Sequence, residues 1–239
     1  MGDFRNVITA GRAFAGHHAW TPLRLPNPIG VYNSDQVTLT SGKVSTWEDL
    51  STAGRHLTQA TAGNRPTQAT SVRNGHSAVR FTAANSTFLQ TATFAGIAHP
   101  ITWWLVCKLT SQAGVPIPFD ADASGSGGDA IYPNTATDIA LTGGATQIST
   151  TFNMTADFAS YVGISNGTSS SLRANGAQIV SGATTDNGNI TQIVVGAFRT
   201  GGSNYVDGDL LAFGAVKGVP SGADLARLER YLRSTYLTW

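Results

Sequence analysis

Charge is scarce in this chain of 239 residues: Asp, Glu, Lys and Arg make up 12% of it, about half the share usual in a globular protein. Hydroxyls and amides must cover most of the surface, since Gly, Ser, Thr, Asn and Gln are abundant. The only cysteine, Cys107, excludes a disulfide framework and a cysteine-based metal site, and its apolar surroundings read it as a small buried hydrophobe. The three lysines and twelve arginines are scattered along the sequence and the net charge is +1, which argues against nucleic acid as a partner. No apolar run approaches the roughly 20 residues of a membrane helix, so no membrane insertion is expected. Arg5 and Arg12 interrupt any hydrophobic segment ahead of Ala13-Phe14-Ala15, so the reading is of a chain made in a cytoplasm without an export signal.

What is present is a succession of short extended runs separated by Gly, Asn, Asp and Ser clusters, the pattern of an all-β sandwich. Residues 1–30 differ: Phe4, Ile8, Phe14, Trp20, Leu23 and Leu25 are spaced among polar residues, and Pro22, Pro26 and Pro28 forbid a regular helix. They read as an extended arm that either packs on its own domain or docks on a neighbouring subunit, ahead of one domain over 31–239. In Ile101–Leu109 the residues Ile101, Trp103, Leu105, Cys107 and Leu109 share one face, which must be core, and Thr102, Trp104, Val106 and Lys108 share the other. Asn175-Gly176 between Ser170–Ala174 and Ala177–Val180 predicts a hairpin, because the pair supplies the positive φ angles of a type I′ turn. One helix is expected, after Pro220: Ser221 and Asp224 form a capping pair, and Leu225, Leu228 and Leu232 form a stripe.

Several pieces carry a resemblance. They are Val44-Ser45-Thr46-Trp47-Glu48-Asp49-Leu50-Ser51, His56–Thr61, Arg65-Pro66, and Asn74-Gly75 before Val79-Arg80-Phe81; then Leu172-Arg173-Ala174-Asn175-Gly176, Gly208-Asp209-Leu210-Leu211, and the closing Asp224–Leu232 helix. As a set, over about residues 30–237, they resemble the concanavalin A-like, laminin-G-type jelly roll of phage and bacterial proteins. The resemblance implies a two-sheet antiparallel jelly-roll sandwich with an extended N-terminal arm and one short C-terminal helix. It implies that Trp47 anchors a loop to the core while Asp49 caps a backbone turn. Ala212-Phe213 stands where the family often carries Glu, so a role resting on that acid is missing.

For chemistry, the chain has only two glutamates, Glu48 in the Trp47 turn and Glu229 on the expected helix. No strand therefore carries the paired carboxylates of a retaining glucanase. Gly163-Ile164-Ser165-Asn166-Gly167 matches a nucleophile elbow in letters, but lacks the strand-to-helix context that motif needs. Asp120-Ala121-Asp122-Ala123-Ser124-Gly125 opens like a calcium loop, with Asp129 as a further ligand in place of the missing Glu; Asp120, Asp122 and Asp129 are thus either a calcium site or a solvated loop. Tyr132, Asn134, Asn204 and Tyr205, with Trp104 on the non-core face, are the candidates for carbohydrate binding, because sugar rings need an apolar platform flanked by amides.

Together these features describe a non-enzymatic, exposed virion protein of a bacteriophage, lectin-like, serving adhesion to host-surface glycan or decoration of the particle. It is expected to be a homo-oligomer that meets other virion proteins through residues 1–30. The alternative is a polysaccharide-degrading glycoside hydrolase of the same fold, with Asp120, Asp122, Asp129, Asp207 and Asp209 as the acids to test.

Overall fold

The strand Ile101–Leu109 organises the molecule. In the structure, a computed structural model that describes residues 20–121, 128–185, 188–199 and 202–237, it pairs antiparallel with Ala159–Ser165 on one side and Gly208–Lys217 on the other. From there the sheet runs through Ser170–Ala174 to Ala177–Gly182 at one edge. On the other side His76–Phe81 and Pro28–Asn33 both pair with Gly208–Lys217. It continues through Thr67–Arg73 and Lys43–Trp47, which also pairs with Val37–Thr40, into the short strands Leu57–Thr58, Leu89–Gln90, Val194–Val195 and Phe119–Asp120, making fourteen strands among the described residues. A separate antiparallel sheet of three strands, Ala130–Pro133, Asp138–Gly143 and Thr146–Thr151, completes the second layer.

The core between the layers follows from the alternation in the sequence. Ile101, Trp103, Leu105, Cys107 and Leu109 meet Trp47, Leu57, Leu89, Phe119 and Val195 from the short strands and Ile131, Ile139, Leu141 and Ile148 from the small sheet. Tyr32, Trp103, Phe119 and Phe213 stack or tilt against one another, with centroids 5.0–6.2 Å apart, separations at which aromatic pairs add stability beyond their buried area. A one-residue slip of Ile101–Leu109 would turn its whole core set to the other face, so the register is fixed.

The other face of the same strand is not open. Trp104 and Val106 pack with Val162, Leu211 and Val216 beneath Leu228, Leu232 and Tyr236 of the helix Gly222–Tyr236. The helix begins where the capping pair placed it: the Ser221 hydroxyl accepts from the Asp224 amide at 3.1 Å and donates to the Asp224 carboxylate at 2.8 Å. At the hairpin, Asn175 and Gly176 have φ angles of 51° and 83°, the left-handed values that pair was expected to supply.

The segment that reads as an arm enters the domain earlier than residue 31. Trp20 lies edge-on to Tyr231, Leu25 is buried against the helix side of the sheet, and Pro28–Asn33 is a full sheet member. Residues 1–19 lie outside the described residues. The Trp47 turn has the geometry implied for it: Trp47 is fully buried, and the Asp49 carboxylate accepts from the amides of Val31, Ser51 and Arg55 at 3.0, 2.9 and 2.8 Å.

Candidate functional site

Where Gly208–Lys217 enters the sheet, its register aligns three charged residues from three strands. Asp209 stands opposite Arg80 on one side and opposite Lys108 on the other. The neighbouring row, Phe81, Gly208 and Leu109, shares the same register; Phe81 and Leu109 belong to the core, so alternation sends Arg80, Asp209 and Lys108 to the outer face. They line an open groove of about 610 Å³ together with Thr82, Thr110, Thr155, Phe158 and Asp207.

The groove is held in shape by its own polar groups. Arg80 grips Asp209 through Nε and Nη2, both at 2.7 Å, a bidentate arrangement that fixes orientation as well as charge, and the pairing raises the Arg80 pKa further. Asp207 accepts from the Ala83 amide at 2.7 Å, which sets one oxygen and leaves the residue exposed. Lys108 makes no ion pair among the described residues. Gly208 has no room for a side chain, since a Cβ there would lie 2.6 Å from the Lys108 carbonyl oxygen. The result is a groove that offers an ammonium and an exposed carboxylate as hydrogen-bonding groups and threonine hydroxyls, with only the edge of the buried Phe158 reaching its wall. That mixture suits a ligand with hydroxyl pairs and apolar C–H faces.

A second polar constellation is buried. The Asp129 carboxylate, fully inaccessible, lies 2.9 and 3.0 Å from His99 Nε2 and accepts from Trp103 Nε1 at 2.6 Å, with Ser165 beside it. Burial pushes its carboxyl up from the ordinary value, against the pull of the His99, Trp103 and Ser165 hydrogen bonds. Ser165, the centre of the elbow-like motif, is itself fully buried at the end of a strand, so that sequence match presents no nucleophile.

The candidates read from sequence do not converge. Trp104 is corrected outright: at 1% exposed it lies under the C-terminal helix, because the helix stripe covers the face of the strand that was expected to look outward. The Tyr132 hydroxyl donates to Gln147, and the Asn134 amide closes a turn onto Asp138. Asn204 donates from Nδ2 to the carbonyls of Gly114 and Val115 at 3.2 and 2.9 Å, and Tyr205 is half-buried beside it. None of these four lines the groove. Of the aspartates proposed for calcium, Asp120 accepts from the Arg199 amide at 3.0 Å, Asp129 is occupied as above, and Asp122 lies outside the described residues. Among the described residues no cluster of three or more His, Cys, Asp or Glu is placed to hold a metal. Asp207 and Asp209, two of the acids named for the hydrolase alternative, do line the groove; the residues missed, Arg80 and Lys108, carry no local motif, and only the strand register brings them together.

No protein-family model and no curated protein matches the chain. Solved structures do resemble it. A GH54 α-L-arabinofuranosidase superposes with a TM-score of 0.62 at 16% identity, over 81% of this chain and 51% of that one. A Trypanosoma rangeli sialidase in complex with sialic acid gives 0.58 at 11% identity, over 90% and 35%. The binding domain of Paraclostridial Mosquitocidal Protein 1 gives 0.60 at 11%, over 85% and 52%. The chain thus spans about half, or a third, of the length of these proteins, and at such identities the likeness establishes the β-sandwich fold. It also corrects one expectation. Two of the three are glycosidases, so this architecture occurs in sugar-cleaving proteins, and the absence of enzymatic activity does not follow from it.

Proposed function

We propose that the protein is a carbohydrate-active β-sandwich module that takes a glycan chain in the groove of Arg80, Asp209 and Lys108. The observation that carries this reading is the cross-strand row itself: a fixed ion pair beside a lysine that makes no ion pair among the described residues, on a concave outer face with Asp207 and three threonines. The glycosidases among the structural likenesses support the same class of ligand. A glycan array followed by calorimetry tests it. Lys108→Ala and Asp209→Ala should each weaken binding of the retained glycan by about 10- to 100-fold, the worth of a charge-assisted hydrogen bond. Both variants should fold, since Lys108 makes no ion pair among the described residues and the Arg80 left behind by Asp209→Ala is half exposed to water; an unchanged melting temperature checks this. Unchanged binding in both variants would remove the groove from the function.

Cleavage in the same groove is the second reading, favoured by the two carboxylates on its wall, Asp207 and Asp209. In it Asp209, gripped by Arg80, and the exposed Asp207 serve as the pair of carboxyl groups, one giving a proton to the leaving oxygen while water adds to the sugar carbon. Release of reducing ends from the bound polysaccharide, abolished by Asp207→Asn, would establish it; binding without release would leave recognition alone.

The placement of this module on a phage particle, attached through its N-terminal residues as one copy of a homo-oligomer, is supported by the sequence resemblance and the apolar residues Phe4, Ile8 and Phe14. Removing residues 1–19 keeps the Trp20–Tyr231 contact and should give a folded domain that no longer joins particles. Normal incorporation of the truncated chain would count against attachment by that segment.

A further inference from the structure

The C-terminal helix leaves a recess where it meets the first sheet strand. Between Val31, Tyr32 and Trp104 of the sheet and Tyr231, Leu232 and Tyr236 of the helix lies a hollow of about 150 Å³. Its lining is mostly apolar, and the Tyr32 hydroxyl is already used, donating to the Arg55 carbonyl at 2.5 Å. Among the described residues four large hydrophobic side chains are exposed, and two of them, Leu23 at 47% and Leu50 at 39%, line this one hollow. Single exposed leucines are ordinary, but leucines gathered around an aromatic recess mark a contact surface.

Size and chain path both indicate what covers it. An apolar cavity of about 150 Å³ takes one benzene ring. Thr21, Pro22 and Leu23 form part of the wall, so residues 1–19, which lie outside the described residues, join the domain at the rim of the hollow. Trp20 pins that junction, edge-on to Tyr231 with centroids 6.2 Å apart. Six positions before Trp20 the sequence has Phe14, set between Ala13 and Ala15 and followed by Gly16: one ring whose neighbours are too small to obstruct its entry. Six residues span up to about 20 Å, enough to turn back to the rim. Phe4 stands between the charged Asp3 and Arg5 and would have to close a longer loop, at a larger cost in entropy. A ring offered by a second copy competes with so short a tether only at roughly millimolar protein.

We propose that the hollow is the docking site for the chain's own leading segment, with the Phe14 ring seated between Trp104 and the two helix tyrosines. There the ring gains aromatic neighbours as well as buried area, and the segment that carries it covers Leu23 and Leu50. The contact ties the start of the chain to its final helix. Phe4 and Ile8 lie further from Trp20 in sequence and stay available for the attachment proposed above. The docking draws on nothing in the glycan groove, which shares no residue with the hollow.

Disulfide trapping in the full chain tests the contact. The double variant Phe14→Cys/Leu50→Cys should form an intrachain disulfide under mild oxidation at least 10-fold faster than Phe4→Cys/Leu50→Cys. Cys107 does not interfere, because it is fully buried and burial raises its thiol pKa. A second measurement needs no cysteine. Phe14→Ala should lower the melting temperature by about 5 °C and, by vacating the hollow, should bind toluene at least 10-fold more tightly than the wild type does. Lys108→Ala should match the wild type in melting temperature and toluene binding, so failure of the groove reading and failure of this one are separable. Equal cross-linking rates for the two cysteine pairs would overturn the proposal, as would toluene affinity and melting temperature unchanged in Phe14→Ala. Cross-links formed only between chains would overturn it too, since the segment in the hollow would then belong to a second copy.

Discussion

Asp129→Ala should lower stability by about 3–5 kcal/mol, since each buried polar group left without its hydrogen-bond partner costs about 1–3 kcal/mol. The alanine would take from His99 Nε2 and Trp103 Nε1 the carboxyl group they share inside the core. In a domain of this size the loss corresponds to a fall in melting temperature on the order of 10 °C, measurable by calorimetry or denaturant titration. The effect should also depend on pH with a definite sign. Burial raises the folded-state pKa of Asp129, so the stability this carboxyl contributes is fully present below its unfolded value of about 3.9 and is lost as pH rises through the raised folded value. The difference between wild type and variant is therefore expected to be larger near pH 4 than near pH 7. Asp35 works the other way: burial opposes ionisation, but the His76 and Ser77 hydrogen bonds outweigh it and hold its carboxyl below the ordinary value. Its stabilisation is present above the unfolded pKa and is lost as pH falls through the lowered one. A wild-type-minus-variant difference that grew toward neutral pH would contradict this account of Asp129.

Trp104→Ala should cost about 3–5 kcal/mol, the usual range for a large aromatic removed from a core. The indole is sandwiched between the sheet and the helix, and it lies so close over Gly214 that a Cβ there would come within 2.3 Å of its ring. Losing it removes the floor on which Leu232 and Tyr236 sit. The melting temperature should fall by roughly the same amount as for Asp129→Ala, and amide exchange in Gly222–Tyr236 should accelerate before the rest of the sheet. Glycan affinity of the folded fraction should stay unchanged. If affinity fell instead while stability held, Trp104 would be a ligand contact after all.

Trp104 also shows where reading the sequence stops. The alternation that places Trp103 and Leu105 in the core was legible from the period of two alone, and so was the Asn175-Gly176 hairpin, because both depend on neighbours in the chain. The apolar run from Ile101 to Cys107 carried a further signal, that both faces of a strand so poor in charge must be covered. The cover, the stripe of Leu228 and Leu232, lies more than a hundred residues on in sequence, and each stripe was readable without revealing that they meet. The site was less legible still. Arg80, Lys108 and Asp209 come from three strands, and no spacing between them in sequence has meaning; their row exists only because two ladders share one register. His99 and Asp129 are likewise unremarkable apart. Tyr132, Asn134, Asn204 and Tyr205 have the composition of a sugar site, but composition does not place side chains in the groove, and here the polar atoms of Tyr132, Asn134 and Asn204 serve turns and neighbouring strands.

The position of Gly208–Lys217 has a kinetic consequence. It is inserted between Ile101–Leu109 on one side and Pro28–Asn33 and His76–Phe81 on the other, so the middle of the large sheet comes from a strand about 100 to 190 residues further along the chain than the strands it joins. Until it docks, those strands hold open, apolar edges, and closing the gap pairs segments distant in sequence, a topology that folds slowly. The inserted strand acts as the bolt that ends that vulnerable interval.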